Sequence, residues 1–190
     1  MLKDVITIVS GLPRSGTSMM MKMLEAGGLP ALTDNLRTAD EDNPKGYYEF
    51  ERVKQIKTDK AWLPEAKGKV VKMISELLQH LPPDYQYRVV FMRRKLEETL
   101  ASQKQMLVRR GEPAEVISDE KLAELFRKHL LRLEAWLAAQ QNFKILELPY
   151  NEIMSHPRPQ AEKINAFLFG ALDVDKMVAI VDPALYRQKK

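Results

Sequence analysis

The sequence contains no cysteine, which excludes disulfide bonds and thiolate metal sites and is typical of proteins in a reducing cytoplasm. Its 8 glycines and 11 prolines are too few for a collagen-like or low-complexity chain. Long hydrophobic runs are also missing: the apolar stretch at residues 5–12 is too short to cross a membrane and lacks the small-residue cleavage pattern of a signal peptide. We therefore expect a cytoplasmic protein without a membrane span.

Positive charge is only slightly in excess. The formal net charge is +4, and Arg187, Lys189 and Lys190 near the C-terminal end contribute three of the positive charges. We therefore expect no nucleic-acid partner. The 190 residues, 45% of them hydrophobic and 29% charged, are typical of a globular domain, and we expect residues 1–190 to form a single domain.

Short runs of β-branched and apolar residues alternate with segments of helical periodicity. Strands are predicted at residues 5–10, 69–74, 88–92 and 143–148. Helices are predicted at residues 17–26, 96–108, 119–141, 157–169 and 173–180. This alternation predicts an α/β fold in which a parallel sheet lies between two layers of helices. Ligands of such a fold bind beyond the carboxyl ends of the strands.

The first predicted strand leads into a loop framed by glycines. Four residues separate Gly11 from Gly16, and Thr17 and Ser18 follow, which reproduces the GxxxxGK[ST] frame with Thr17 in place of the lysine. Glycines let backbone amides converge on an anion, and the following helix adds unpaired N–H groups and the positive end of its dipole. The loop is predicted to bind phosphate or sulfate, with Arg14 as a cation inside it. An ordinary strand-to-helix turn is the alternative.

A second pair of polar residues follows the third predicted strand. Arg94 lies at the carboxyl end of that strand, and Ser102 lies eight residues later, about two turns into the predicted helix. Such a pair can bind one phosphate from the loop and the helix together. The alternative is a surface arginine and a serine packed in mid-helix.

Residues 28–68 show no clear periodicity and are predicted to form a long loop that covers the active site. If the segment is extended, Glu49 and Glu51 lie on one face, where a carboxylate could overhang the phosphate-binding loop. Both could instead be solvated surface acids. Four aromatic residues of the segment could line an apolar or sugar-binding cleft: Tyr47, Tyr48, Phe50 and Trp62.

Two motifs of this sequence resemble the cofactor motifs of sulfotransferases that use 3′-phosphoadenosine 5′-phosphosulfate (PAPS). The first comprises Pro13, Arg14, Ser15, Gly16, Thr17 and Ser18, and the second comprises Arg94 and Ser102. The resemblance implies that the first motif binds the 5′-phosphosulfate and the second binds the 3′-phosphate. It further implies the three-layer αβα, P-loop NTPase-like fold of sulfotransferases, with 3′-phosphoadenosine 5′-phosphate (PAP) as product and no metal. Residues 43–49 also resemble a segment of bacterial members.

Catalytic roles follow from the same resemblance. Lys72 resembles the strand lysine of cytosolic sulfotransferases, but Ile74 stands where those enzymes have a histidine base. Other sulfotransferases use a glutamate, so Glu49 is the first candidate for the base and Glu51 the second. Arg14 and Lys72 are expected to stabilise charge on the leaving oxygen.

The histidines and the C-terminal end are weaker candidates. His80 lies among apolar residues, and His129 is expected to pack on the apolar stripe of its helix. The glycine-rich C-terminal segment that holds the 3′-phosphate in cytosolic members has no match here. Arg187 could take its place or could lie in a solvated tail.

The predicted function is transfer of a sulfuryl group from PAPS to a hydroxyl or amine of a small-molecule or carbohydrate acceptor. Two alternatives stay open. The first is a small-molecule kinase with an altered phosphate loop, which would need an Asp at the end of a strand to hold Mg²⁺. The second is a non-catalytic nucleotide-binding protein of the same fold.

Overall fold

Four parallel strands form a sheet in the order β2-β1-β3-β4. The structure is a computed structural model that describes residues 1–34, 48–109, 111–113, 117–182 and 184. The strands are β1 (Ile6–Gly11), β2 (Val70–Lys72), β3 (Tyr87–Arg93) and β4 (Phe143–Pro149). Every residue of β1 is buried, because this strand lies inside the sheet and both of its faces are covered. The parallel sheet expected from the sequence is confirmed.

Helices flank this sheet on both faces. They are α1 (Thr17–Ala26), α2 (Leu96–Arg109), α3 (Asp119–Ala138), α4 (Tyr150–Ser155), α5 (Pro157–Phe167) and α6 (Val174–Ala179). Short 3₁₀ helices lie at Leu2–Asp4, Glu51–Gln55, Leu63–Ala66 and Ser75–His80. Within the described part of the chain, no helix is both long and apolar enough to cross a membrane.

Side chains of β1 alternate between two hydrophobic clusters, one on each face of the sheet. Val9 belongs to the cluster that joins the sheet to α1, α4, α5 and α6. Ile6 and Ile8 belong to the cluster that joins the sheet to α3 and to residues 50–81. The three-layer α/β/α arrangement is therefore confirmed.

Residues 48–68 are built differently from the long loop that the sequence predicts, because they contain the 3₁₀ helices Glu51–Gln55 and Leu63–Ala66. Trp62 is 1% exposed, and its ring lies edge-on to that of Phe50 at a centroid distance of 5.6 Å. The hypothesis that Trp62 lines an acceptor cleft is wrong. Its large apolar ring is instead buried against the sheet, where burial of aromatic surface is most stabilising.

The largest differences from the predicted helices concern α3 and α4. The predicted helix at 119–141 ends at Ala138, after which the N–H of Gln140 donates to the carbonyl of Leu137 in a turn. Helix α4 is not separately predicted, because its six residues are too few to show a helical period.

Candidate functional site

The predicted site residues lie at the edge of the sheet where β1, β2 and β3 end. The glycine-framed loop follows Gly11 at the end of β1, Lys72 is the last residue of β2, and Arg94 comes directly after β3. Because the strands are parallel, their carboxyl ends meet at one edge. Residues that are far apart in the sequence are thereby brought together.

The loop between β1 and α1 has a backbone that turns repeatedly through the left-handed region. The φ angles are +151° at Gly11, +66° at Arg14 and +99° at Gly16. A Cβ atom at Gly11 would lie 2.6 Å from Ser15 Oγ and 2.7 Å from the carbonyl oxygen of Met92, so only glycine fits there.

Ser15 holds this loop closed from inside. Its side chain is buried, and both its hydroxyl, at 2.7 Å, and its N–H, at 3.2 Å, donate to the carbonyl of Leu12. Ser15 therefore uses both of these donors to fix the shape of the loop. Donors for an anion come from Arg14 within the loop and from the residues that follow Ser15.

Helix α1 begins at Thr17 and directs its N-terminus toward this edge of the sheet. Gly16 is its N-cap residue and has no side chain that could cap the helix. The first N–H groups of a helix have no partner within the helix, and the dipole makes this end positive. The N-terminus of α1, with the hydroxyls of Thr17 and Ser18, therefore suits an anionic ligand.

The two sequence motifs meet at Arg14. Its Nε donates to Ser102 Oγ at 3.1 Å across 88 positions of sequence, and Nη1 of Arg94 donates to the carbonyl oxygen of Arg14 at 3.1 Å. Ser102 is buried on α2, whereas Pro13 at the tip of the loop is exposed. Arg14, Arg94 and Ser102 thus form one cluster beside the N-terminus of α1.

Arg94 is itself held by residues that the sequence analysis did not identify. Its Nε forms an ion pair with Glu98 Oε2 at 3.0 Å, and its guanidinium lies 4.6 Å from the centre of the Tyr150 ring. Asn151 Nδ2 donates to the other oxygen of Glu98 at 3.4 Å. The spacing of four residues on one helix could have pointed to Glu98. Tyr150 and Asn151 give no such signal, since they reach the site only through the fold.

Tyr150 also packs against the glycine-framed loop. A Cβ atom at Gly16 would lie 2.5 Å from Cδ2 of the Tyr150 ring, so the absence of a side chain at Gly16 lets the two approach. Burial raises the pKa of the Tyr150 hydroxyl, although the nearby Arg94 opposes this shift. The hydroxyl is therefore neutral at physiological pH.

Lys72 and Glu49 lie on the other side of the α1 N-terminus. Nζ of Lys72 donates to Ser18 Oγ at 3.0 Å and lies 4.0 Å from Glu49 Oε1. The backbone of Glu49 is anchored by the hydroxyl of Thr33, which donates to its carbonyl oxygen at 2.9 Å. The carboxylate of Glu49 thus faces the same edge of the sheet as the glycine-framed loop.

The second candidate base is directed elsewhere. Glu51 forms an ion pair with Lys54 at 2.7 Å, and its side chain is 45% exposed. Lys54 Nζ also lies 4.0 Å from the second oxygen of Glu49. Among the described contacts, Glu49 lies close to Lys72, whereas Glu51 does not.

The remaining candidates take different positions. His80 is half-buried at the end of its 3₁₀ helix. His129 does not simply pack on an apolar stripe, since it is half-buried and shares a hydrogen bond of 2.8 Å with the hydroxyl of Ser75. Ile74 is 40% exposed. Residues 43–47, including Tyr47, lie outside the described residues, as does Arg187.

Among the residues that the structure describes, no three His, Asp or Glu side chains are grouped so that they could hold a metal ion.

Comparison with known proteins identifies the fold. No protein-family model matches the sequence, and no curated protein matches it significantly. Sulfotransferase STF1 of Mycobacterium tuberculosis matches in structure with a TM-score of 0.57 and 17% identity, over 94% of this chain and 70% of that one. The sulfotransferase domain of the olefin synthase of Synechococcus PCC 7002 matches with a TM-score of 0.53 and 15% identity, over 97% and 83% of the two chains.

A mammalian structure matches as well. Mouse sulfotransferase SULT7A1, solved in complex with PAP, has a TM-score of 0.50 and 18% identity, over 95% of this chain and 63% of that one. The chain therefore has the fold of sulfotransferases, as the resemblance of its motifs implies. At these identities the similarity shows the fold alone.

Proposed function

We propose that the chain is a sulfotransferase that transfers the sulfuryl group of PAPS to a hydroxyl or amine and releases PAP. The observation that carries the proposal is the hydrogen bond from Arg14 to Ser102, which joins the two sequence motifs. Arg94 donates to the carbonyl of Arg14 in the same cluster. Motifs that bind the two phosphate groups of one nucleotide have to lie side by side, and these do.

The side chains around the α1 N-terminus suit such an anion. Guanidinium groups of Arg14 and Arg94, the ammonium group of Lys72 and the hydroxyl of Ser102 are all hydrogen-bond donors. Thr17 and Ser18 add hydroxyls at the positive end of the helix dipole. We assign the 5′-phosphosulfate to residues 13–18 and the 3′-phosphate to Arg94 and Ser102.

Glu49 is proposed as the general base. A bound PAPS molecule would supply a sulfuryl group on a good leaving group, and the acceptor has to lose a proton as it attacks. The Glu49 carboxylate lies 4.0 Å from the ammonium group of Lys72, which in turn donates to Ser18, so we place it beside the phosphosulfate end of the site. General bases in such positions contribute roughly 10²- to 10⁴-fold to the rate.

Arg14 and Lys72 are proposed to stabilise the negative charge that develops on the leaving oxygen. Lys72 is held at the N-terminus of α1 by Ser18, so its charge is oriented before the reaction begins. A donor that is already oriented needs little reorganisation, and loss of one such donor typically costs on the order of 10²- to 10³-fold in rate.

The proposal also covers the domain organisation, the segment beside the acceptor and the compartment. We propose that residues 1–190 act as one domain, that residues 28–68 border the acceptor, and that the protein works in the cytoplasm on a small-molecule or carbohydrate acceptor.

A kinase is less well supported, because the strands end at Gly11, Lys72, Arg93 and Pro149, and none of these residues can hold Mg²⁺ as the Asp of a kinase does.

Calorimetric titration tests the proposal without an acceptor. The full chain is titrated with PAP, AMP, ADP and ATP, each with and without Mg²⁺. Preference for PAP that does not depend on Mg²⁺ is the expected result and would justify an acceptor screen with PAPS. Preference for ATP with Mg²⁺ would overturn the proposal in favour of a kinase. Tight PAP binding without transfer to any acceptor would instead favour a non-catalytic binding protein.

A further inference from the structure

We infer that Glu98 is a positioning residue, whose carboxylate fixes the guanidinium of Arg94 in the orientation that receives the 3′-phosphate of the nucleotide. The inference rests on the proposed function for the identity of the ligand. It adds to that function a residue of α2 that neither sequence motif includes.

The carboxylate of Glu98 is fully buried, which is costly for a charged group unless its oxygens are paired. Both oxygens have partners: Oε2 accepts from Nε of Arg94 at 3.0 Å, and Oε1 accepts from Nδ2 of Asn151 at 3.4 Å. The side chain of Arg94 is 8% exposed. The ion pair therefore lies in a position where its geometry is fixed by the surrounding protein.

Three groups hold the guanidinium of Arg94 from different directions. Glu98 accepts from its Nε edge, the carbonyl of Arg14 accepts from Nη1, and the Tyr150 ring lies 4.6 Å from its centre. A guanidinium binds phosphate through a planar fork, so its orientation decides how many hydrogen bonds it can make. Glu98 is a residue of α2, whereas Arg94 lies in the turn before that helix. The ion pair therefore connects the turn to α2.

The charge of Glu98 and its hold on the orientation of Arg94 affect anion binding in opposite directions. A negative charge 3.0 Å from Arg94 reduces the attraction of this cluster for an anion, so by charge alone its removal should tighten binding of a phosphate. If Glu98 orients Arg94, its removal should weaken that binding. The sign of the change therefore separates the two roles.

The test compares Glu98→Met, Glu98→Asp and a control, Glu97→Met, at the exposed neighbouring position of the same helix. Calorimetry gives the affinities for PAP and for AMP, which lacks the 3′-phosphate. Methionine keeps the length of the side chain without charge or hydrogen bond, and aspartate keeps the charge but withdraws it by one methylene.

We expect both Glu98 variants to lower the affinity for PAP by roughly tenfold, as is typical for coupled residues in contact. AMP binding and the Glu97 control should change little.

A merely structural role would not alter the ratio of the PAP and AMP affinities, and thermal unfolding shows whether each variant is folded. If Glu98→Met does not fold, Glu98→Asp still decides the question. In an Arg94→Met background, Glu98→Met should leave the ratio unchanged, because nothing remains to be oriented.

An unchanged ratio in the folded Glu98 variants, or tighter PAP binding, would overturn the inference and leave the proposed function intact. Equal binding of PAP and AMP by the unsubstituted protein would overturn both. Titration of the unsubstituted protein therefore distinguishes a failure of the inference from a failure of the proposed function.

Discussion

At the scale of the residue, the pairing of Arg94 with Glu98 has a consequence for stability. Arg94→Met leaves the carboxylate of Glu98 buried without its ion-pair partner, which should lower the free energy of unfolding by about 3–5 kcal/mol. Adding Glu98→Met removes the stranded charge and should restore most of that loss. Urea denaturation of the two variants measures the difference. A double variant no more stable than Arg94→Met would contradict the pairing.

Glu49 is the second residue at which a prediction can be made. Glu49→Gln keeps the shape of the side chain but cannot accept a proton, so the rate of sulfuryl transfer should fall on the order of 10²- to 10⁴-fold while PAP affinity is nearly unchanged. Transfer kinetics with an acceptor found by screening measure this. Glu51→Gln is the matched control, because Glu51 pairs with Lys54 at a more exposed position. Normal turnover by Glu49→Gln would move the base to another residue.

At the scale of the element, the register of the parallel sheet explains why the site forms where it does. Lys72 at the end of β2 pairs with Val9, and Gly11 at the end of β1 pairs with Met92 of β3. The segments after β1 and β3 therefore begin within one residue of each other, and the segment after β2 begins two residues before the level of Gly11. Arg14, Lys72 and Arg94 all lie at this edge of the sheet because each lies within a few residues of a strand end.

The turn into α1 gives a prediction at this scale. Gly16 and Gly28 have nearly equal φ angles, +99° and +101°, but a Cβ atom at Gly16 would lie 2.5 Å from the Tyr150 ring, whereas at Gly28 it would meet nothing within 4 Å. Alanine should cost about 1–2 kcal/mol of unfolding free energy at either position through backbone strain. Gly16→Ala should cost more than Gly28→Ala because of the steric clash.

Denaturation and PAP titration of both variants check this comparison. Gly16→Ala should also weaken PAP binding, since it displaces the N-terminus of α1, and Gly28→Ala should leave it unchanged. Equal losses of stability would mean that the contact between Gly16 and Tyr150 is unimportant for the loop.

At the scale of the whole molecule, ligand binding should stabilise the fold by linkage. The proposed nucleotide contacts residues after β1, after β3 and on α2, so unfolding would release it. PAP at about 100 times its dissociation constant should raise the free energy of unfolding by roughly 2.7 kcal/mol. AMP at the same concentration should do much less. Thermal unfolding with each nucleotide, in the presence of Mg²⁺ or of a chelator, measures the shift. A PAP effect that needs Mg²⁺ would be inconsistent with the proposed site.

Much of the fold was predictable because its signals are local. Apolar runs between residues 5 and 148 locate the four strands, and helix α1 has the predicted bounds Thr17–Ala26. Trp62 could not be placed in this way, since its sequence neighbourhood gives no periodicity and only the sheet explains its burial. The six-residue helix α4, which brings Tyr150 and Asn151 to the site, was likewise too short to recognise.

The available chemistry follows from the amino-acid sequence: a glycine-framed loop with Arg14, an arginine and a serine eight residues apart, and no thiol. These features depend on residue type and on short spacings, so they can be recognised without the fold. Which of these groups meet depends on the folded chain. It joined Arg14 to Ser102, turned Glu49 rather than Glu51 toward Lys72, and buried Glu98 against Arg94. Such contacts depend on strand order and register, which bring distant residues together and which no local pattern records.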